Sequence, residues 1–516
     1  MNDANSLSPQ VTGSAFLALE SSQVNVISGV DPEDMPTINR LLKVWRDKYP
    51  RNLLRSRYVD VHYSFKDFGI SIPDRIKAKV EPMVGWPAKA VRSLADLSVF
   101  DGFELPDDSD PHGIRELADS NALDVAVPEA ISSAYTHSCS FLTVYRDVDS
   151  GMMTIMPRSA DWSAAIWDRR RHRIESALTI TDDDEYGRIT GFTVWLADRV
   201  YVCSSDNGIW SADRVDTNFG RPTVTPLCYD AQLNRPFGRS RVSRQLMSLT
   251  DIAFRTIVRM EASAEFYSVP KLWFLGADRD AFSSDTWSSL ISAINAISKD
   301  EDGDKPEVHQ ISQASMQPHS DMLKTIAMMV SSETNIPVSD LGITQDNPSS
   351  AEAMAEAERK LSREADRQNV RFGRAIKDAV GMAVCLREGT DVVPDDLSGV
   401  RTVWKPTRES SDASRADSFA KIASVAPEFS RTEVGWRYAG FGQSDVEAIM
   451  ATIRRAEATS TLDRLLAAGG SGDGSGSGGQ AGEGSGSGGA DGAAGDAEPV
   501  QDASGAVGGD AARPAA

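Results

Sequence analysis

From Pro36 onward the chain carries apolar residues at helical spacing: "PTINRLLKVWRDKY" sets Ile38, Leu41, Leu42 and Trp45 on one face, with proline in the first turn. Similar patterns predict helices near Pro87 to Leu97, Ile114 to Leu123 and Pro128 to Thr136. From Cys139 to about Arg214 the period changes to two. Short β-branched and aromatic runs such as "SFLTVYRD", "GMMTIMPR", "GRITGFTVWL" and "DRVYVCSS" alternate there with turn signals, including Asp182 to Gly187 and Asn207-Gly208. They predict an antiparallel meander of six or seven strands.

Past Pro226 the helical period returns. Ser240 to Tyr267 fits one helix of about 28 residues, roughly 42 Å long. Advancing about 100° per residue, Arg241, Arg244, Arg255 and Arg259 fall within about 60° of one another. Val242, Leu246, Leu249, Ala253, Ile257 and Met260 lie across from them. "KLWFLG" reads as a strand, Thr286 to Ile297 as a helix, Val308 to Ile311 as a short strand, and Ser320 to Asn335 as a second long helix. After the loop "IPVSDLGITQDNPSS", a capping box of Ser349 and Glu352 opens a further long helix, with Gly373 and Gly381 as kink positions. "VRTVWKP" predicts a strand, and helices complete the module to about Leu466. The fold class expected is α+β in several domains.

Composition changes the picture chiefly at the end. Gly469 to Ala516 holds 17 of the 39 glycines, no aromatic residue, and seven acids against one arginine. Such a segment buries too little apolar area to offset its ordering entropy and is expected to be disordered. It accounts for six of the formal charges in a net of -21, so the rest of the chain is acidic too. That disfavours tight non-specific binding to nucleic acid through the chain as a whole. The arginines of "NRPFGRSRVSRQL" stand out against it, and three roles remain open for the row they begin: pairing with a neighbouring subunit, lining a channel, or a solvated face. Arg235 and Arg239 belong to the approach, shaped by Pro236 and Gly238.

Candidate chemistry is mostly negative. No GxxxxGK[ST], HExxH or GxSxG occurs, and the six histidines are scattered. The four cysteines (Cys139, Cys203, Cys228, Cys385) form no CxxC, which suits buried thiols in a reducing compartment. The acidic runs Asp182 to Glu185 and "DEDGDK" read as solvated turns rather than cation sites. No run of 18 apolar residues and no signal-peptide pattern occurs, so neither export nor membrane insertion is expected. No enzyme activity, metal or cofactor is expected.

"FKDFGISIP", "GWPAKAVRSLADLSVFDGF", "NRPFGRSRVSRQLMSLTDIAFRTIVRMEASAEFYSVPKLWFLGAD", "DNPSSAEAMAEAERKLSREADRQNVRFG" and "VWKPTRESSDASRADSFAKI" together resemble, in order, blocks of the portal proteins of tailed bacteriophages, in particular siphophages of actinobacteria. The resemblance runs from about Pro36 to Leu466. It implies a ring, a homo-oligomer of about twelve subunits, at one capsid vertex of the virion, assembled in the host cytoplasm. Double-stranded DNA would enter through it during packaging and leave during ejection.

The implied subunit begins with an irregular arm over 1–35 and a wing over 36–239, with the meander inside the wing. Stem helices at 240–268 and 319–336 flank a clip at 269–318. A tunnel loop at 337–349, a wing-crossing helix at 350–400, a crown at 401–468 and the tail follow. Implied partners are the terminase large subunit, head-completion or adaptor proteins, and major capsid and scaffold proteins. Thr344, Gln345, Asp346 and Asn347 would approach DNA at the loop tip, and Trp273, Trp287, Asp300 and Asp302 would contribute to the clip docking surface. A DNA-processing enzyme and another structural phage component are the competing readings.

Overall fold

The alternating run after Cys139 folds as seven consecutive strands, but they divide between two sheets. The computed structural model describes residues 26–62, 83–106, 109–147, 150–206, 208–267, 272–275, 307–310, 315–343, 351–407 and 412–469. The chain separates into two units, 1–409 and 410–516.

In the first unit, helix α1 (Met35–Val59) is followed by α2 (Trp86–Ala95), strand β1 (Phe100–Glu104), α3 (Ile114–Ser120) and α4 (Leu123–His137). Strands β2 (Cys139–Arg146) and β3 (Met153–Ser159) form a hairpin. Then β4 (Ser163–Asp168), β5 (Arg173–Asp183), β6 (Ile189–Trp195), β7 (Arg199–Asp206) and β8 (Ile209–Asp216) make a five-stranded antiparallel meander. Strand β9 (Val224–Cys228) returns to pair with β2, giving the order β3-β2-β9 in a second sheet. Sequence reasoning missed β9 because Pro226 sits inside it. As an edge strand it loses no ladder bond on its open side, and proline is tolerated there.

Apolar faces set the layering. Ile38, Leu41, Leu42 and Trp45 of α1 pack on one face of the five-stranded sheet with Leu178, Phe192 and Val194. Its other face, with Ala177, Trp195 and Val200, meets Phe141 and Val224 of the smaller sheet. The far side of that sheet packs α4 and the long helix α7 (Ala351–Glu388) through Val127, Ile131, Leu142, Val144, Phe372 and Ile376. Trp45 Nε1 donates to the Asp161 carbonyl (2.7 Å), and Asn52 donates to Ala160 (2.8 Å), fixing α1 to the corner between the sheets. The open edge at β8 is covered by the N-terminal arm, where Ser28 exchanges backbone bonds with Trp210 and Ala212.

Between β9 and α7 lie α5 (Arg244–Tyr267), the hairpin β10 (Leu272–Leu275) with β11 (Glu307–Gln310), and α6 (Gln317–Thr334). The helix expected over Thr286 to Ile297, the capping residue Ser349 and the glycine-rich end beyond Gly469 lie outside the described residues. Helix α7 runs unbroken through Gly373 and Gly381. Gly373 serves close packing instead of bending: a Cβ there would stand 2.2 Å from Thr402 Oγ1 in β12 (Arg401–Trp404). Strand β12 pairs with β1 and so belongs to the first unit.

The second unit holds α8 (Asp412–Val425), α9 (Glu433–Ala439) and α10 (Gln443–Gly469), with the Phe419 ring in contact with both Phe429 and Trp436. The four cysteines are free, and burial pushes the Cys139 and Cys203 thiols up to about 12.

The C-terminal end of α7 is tied down by charge. His112 places Nδ1 2.7 Å from Glu388 and Nε2 2.8 Å from Asp396, while Arg387 donates to the His112 carbonyl. These carboxylates, Glu388 first, raise the imidazole pKa above its ordinary 6.5. A raised pKa in the folded state stabilises it fully below the unfolded value, and that contribution disappears as pH rises through the folded value. His112→Ala should therefore lower the melting temperature most below pH 6.5 and progressively less as the pH rises above it. A difference that does not change as the pH rises would refute the clasp.

Candidate functional site at the base of two long helices

Helices α5 and α6 pack along Leu246, Leu249, Ala253, Phe254 and Val258 against Ile326, Ala327 and Val330. Ile336 and Leu341 close the same core past the end of α6. Asn335 takes the left-handed conformation (φ 57°) that ends α6, and a short 3-10 turn, Val338–Leu341, leads on towards α7.

The start of α5 is set by Ser243. Its Oγ accepts from the Leu246 amide (3.1 Å) and its carbonyl accepts from Met247 (3.0 Å), the geometry of an N-cap. The helix thus begins at Arg244 and not at Ser240, and Arg241 stands before it. This separates Arg241 from the other three arginines. Arg244 and Arg259 are exposed on α5, whereas Arg255 is half-buried with Nε donating to the Asp251 carbonyl (3.4 Å). Tyr58 of α1 donates to the Asp251 carboxylate beside it (2.7 Å).

Arg241 is instead buried at a junction of five segments. Its guanidinium donates to the Glu364 carboxylate of α7 (2.8 Å), to the Thr334 carbonyl at the end of α6 (2.7 Å) and to the Ala90 carbonyl of α2 (2.5 Å). Glu364 also accepts from the Tyr229 hydroxyl (2.5 Å) and from Asn335 (3.1 Å). Side-chain exposure is 3% for Arg241 and 10% for Glu364, so the pair is screened from water. Burial pushes the Tyr229 hydroxyl pKa well above its ordinary value. A planar fork of donors against one carboxylate and two carbonyls suits arginine and would not be met by lysine.

The approach to this junction depends on a glycine. Gly238 has φ +70°, and a Cβ on it would lie 1.8 Å from the Tyr229 carbonyl oxygen. Arg239 then donates its amide to that same oxygen (3.0 Å). Glu364 and Tyr229 were not singled out from sequence. The available signal was an acid on the apolar side of α7, a position that calls for a buried cation.

The arrangement orients helices; it offers no nucleophile with an adjacent base. Among the described residues no group of His, Cys, Asp and Glu could hold a metal ion, and no helix is long and apolar enough to cross a membrane. Trp273 lies in β10 opposite His309. Trp287, Asp300, Asp302, Thr344, Gln345, Asp346 and Asn347 lie outside the described residues.

Residues 40–431 match the family described as "Phage portal protein, SPP1 Gp6-like". The chain belongs to this phage portal family. It is 27% identical over 409 residues to the portal protein of Mycobacterium phage L5, covering 77% of this chain and 84% of that one. It is likewise 27% identical over 402 residues to the portal protein of Mycobacterium phage D29, covering 75% and 82%. Among solved structures, a chain from the neck of an empty gene transfer agent particle aligns with 81% of this chain and 95% of its own length, at 13% identity and a TM-score of 0.39. The portal family is structural rather than catalytic.

Proposed function

We propose that this portal-family chain assembles into a closed ring of about twelve copies at one capsid vertex of the virion. In this reading the terminase motor docks on the ring, and double-stranded DNA passes through it during packaging and ejection. The observation that carries this is the family match across residues 40–431, which takes in α5, α6 and α7 together. In the portal scheme α5 and α6 are the stem, the segment around β10 and β11 the clip, and 337–349 the tunnel loop. The layered sheets with α7 form the wing, and the helical second unit forms the crown. Trp273, Trp287, Asp300 and Asp302 would then face terminase and later the head-completion proteins, while capsid and scaffold proteins surround the wing.

Native mass spectrometry or negative-stain microscopy of the purified chain tests the assembly. A closed ring is expected, and a monomer or dimer under every assembly condition would end this reading.

Exposed Arg244 and Arg259, about four turns apart on α5, are assigned to a head-to-tail contact with the adjacent subunit. Arg244→Glu with Arg259→Glu should abolish the ring mass without lowering the melting temperature. Intact rings with altered DNA retention would place these residues in the channel. For the loop tip at Thr344, Gln345, Asp346 and Asn347, deletion of Gly342 to Asp346 should leave rings intact and reduce packaged DNA several-fold. Packaging at the wild-type level would remove the loop from the mechanism.

A further inference from the structure

The outward side of α7 carries a feature that none of the assigned roles uses. Lys360, Arg363, Arg367, Arg371 and Arg374 are all exposed, at successive spacings of three or four residues. At about 100° per residue they fall within an 80° sector, and they extend for roughly 21 Å along the helix. The opposite side, with Leu361, Ala365, Phe372 and Ile376, is buried in the main core, so the row has one fixed orientation.

Among the described residues the row has almost no internal partners. Among the described residues Arg371 alone of the five has one, donating to the Ala231 carbonyl at 3.3 Å. The acids of the same helix segment are committed elsewhere. Glu364 faces inward to Arg241, Asp366 accepts from Thr407 (2.8 Å), and Asp378 accepts from Arg221 and Thr225. In a chain of net charge -21, five adjacent cations on a rigid helix are a local reversal of sign.

We infer that this row binds the phosphate backbone of duplex DNA. Arginine fits phosphate bidentately, and regular spacing along a straight helix suits a polyanion whose charges recur about every 1.7 Å of axis. The competing occupant, an acidic face of a second copy, would require a desolvated apolar centre to hold. Among the described residues the row offers only Val370 for that purpose. Binding of this kind reads no sequence, because phosphates position but do not specify. The choice of DNA as the polyanion rests on the portal reading.

The test uses full-length assembled protein and a fluorescein-labelled random-sequence duplex, with anisotropy read between about 50 and 200 mM salt. Five phosphate contacts give a log-log slope of about -4.5, hence a roughly 500-fold loss of affinity over that range. Arg363→Ala, Arg367→Ala, Arg371→Ala and Arg374→Ala combined should flatten the slope by about 3.6 and leave the assembly mass and melting temperature unchanged. Wild-type affinity in this variant overturns the inference, as does loss of assembly, which would assign the row to a neighbouring copy. A wild-type ring that binds no duplex refutes the row alone, whereas a wild-type chain that never forms a ring refutes the portal reading beneath it.

Discussion

Arg241→Met is expected to destabilise the first unit by about 3–5 kcal/mol, because removing one member of a buried ion pair leaves its partner charged and unmatched. Here the stranded partner is Glu364, whose side chain is only 10% exposed. The carbonyls of Ala90 and Thr334 lose their donor in the same step. Glu364→Gln should cost less, about 1–3 kcal/mol, since an amide retains an acceptor for Arg241 and Tyr229. The double change Arg241→Met with Glu364→Met should recover part of the loss by removing both charges. Full recovery is not expected, as Asn335 and Tyr229 would still lack their acceptor. Chemical denaturation of all three variants decides this. An Arg241→Met variant within 1 kcal/mol of wild type would show that water reaches the junction.

The functional consequence follows from what meets there. Arg241 binds the end of α6, the middle of α7 and the second turn of α2, while its own chain leads into α5. That guanidinium thereby helps to set the angle between the α5–α6 pair and the layered sheets, together with the Tyr58–Asp251 bond from α1 to α5 and the packing of Val84 and Ala90 in the α5–α6 core. In a ring, a small error in that angle would repeat at every interface, since each subunit offers different faces to its two neighbours. Arg241→Met should accordingly impair assembly at temperatures where the subunit is still folded.

Much of this was legible in the residues. Among the described residues, periodicity gave the helices, the strands of the meander and both long helices near their true ends, because each buries a continuous apolar stripe. Helix α1 proved longer than expected. It continues past Pro50 to Val59, where packing of Asn52 and Tyr58 outweighs one lost backbone bond. Pairing across long sequence distances was not legible: neither β9 returning to β2 nor β12 meeting β1 leaves a local trace. The arginine grouping failed for a local reason. With Ser243 as its cap, α5 starts four residues later than periodicity alone suggested, and Arg241 thereby moved from a surface row to the interior. The α7 row was present in the sequence at regular spacing but was masked by the strongly acidic average.

Phe372→Ala supplies the second large effect and separates the two sides of α7. Phe372 is fully buried, and its ring lies 5.7 Å from Tyr135 of α4 at an edge-on angle. Removing it opens a cavity where α7, α4 and the three-stranded sheet converge, at an expected cost of about 3–5 kcal/mol. Its chain neighbour Arg371 is exposed on the other side of the same turn, and Arg371→Ala should fall within about 0.5 kcal/mol of wild type. Thermal unfolding of the two variants side by side reads the contrast directly. Equal destabilisation would mean that the cationic side of α7 is packed in the folded subunit, and its arginines could not then be free for a phosphate backbone. A large loss for Phe372→Ala with none for Arg371→Ala leaves the row as a surface whose changes act on binding and not on folding.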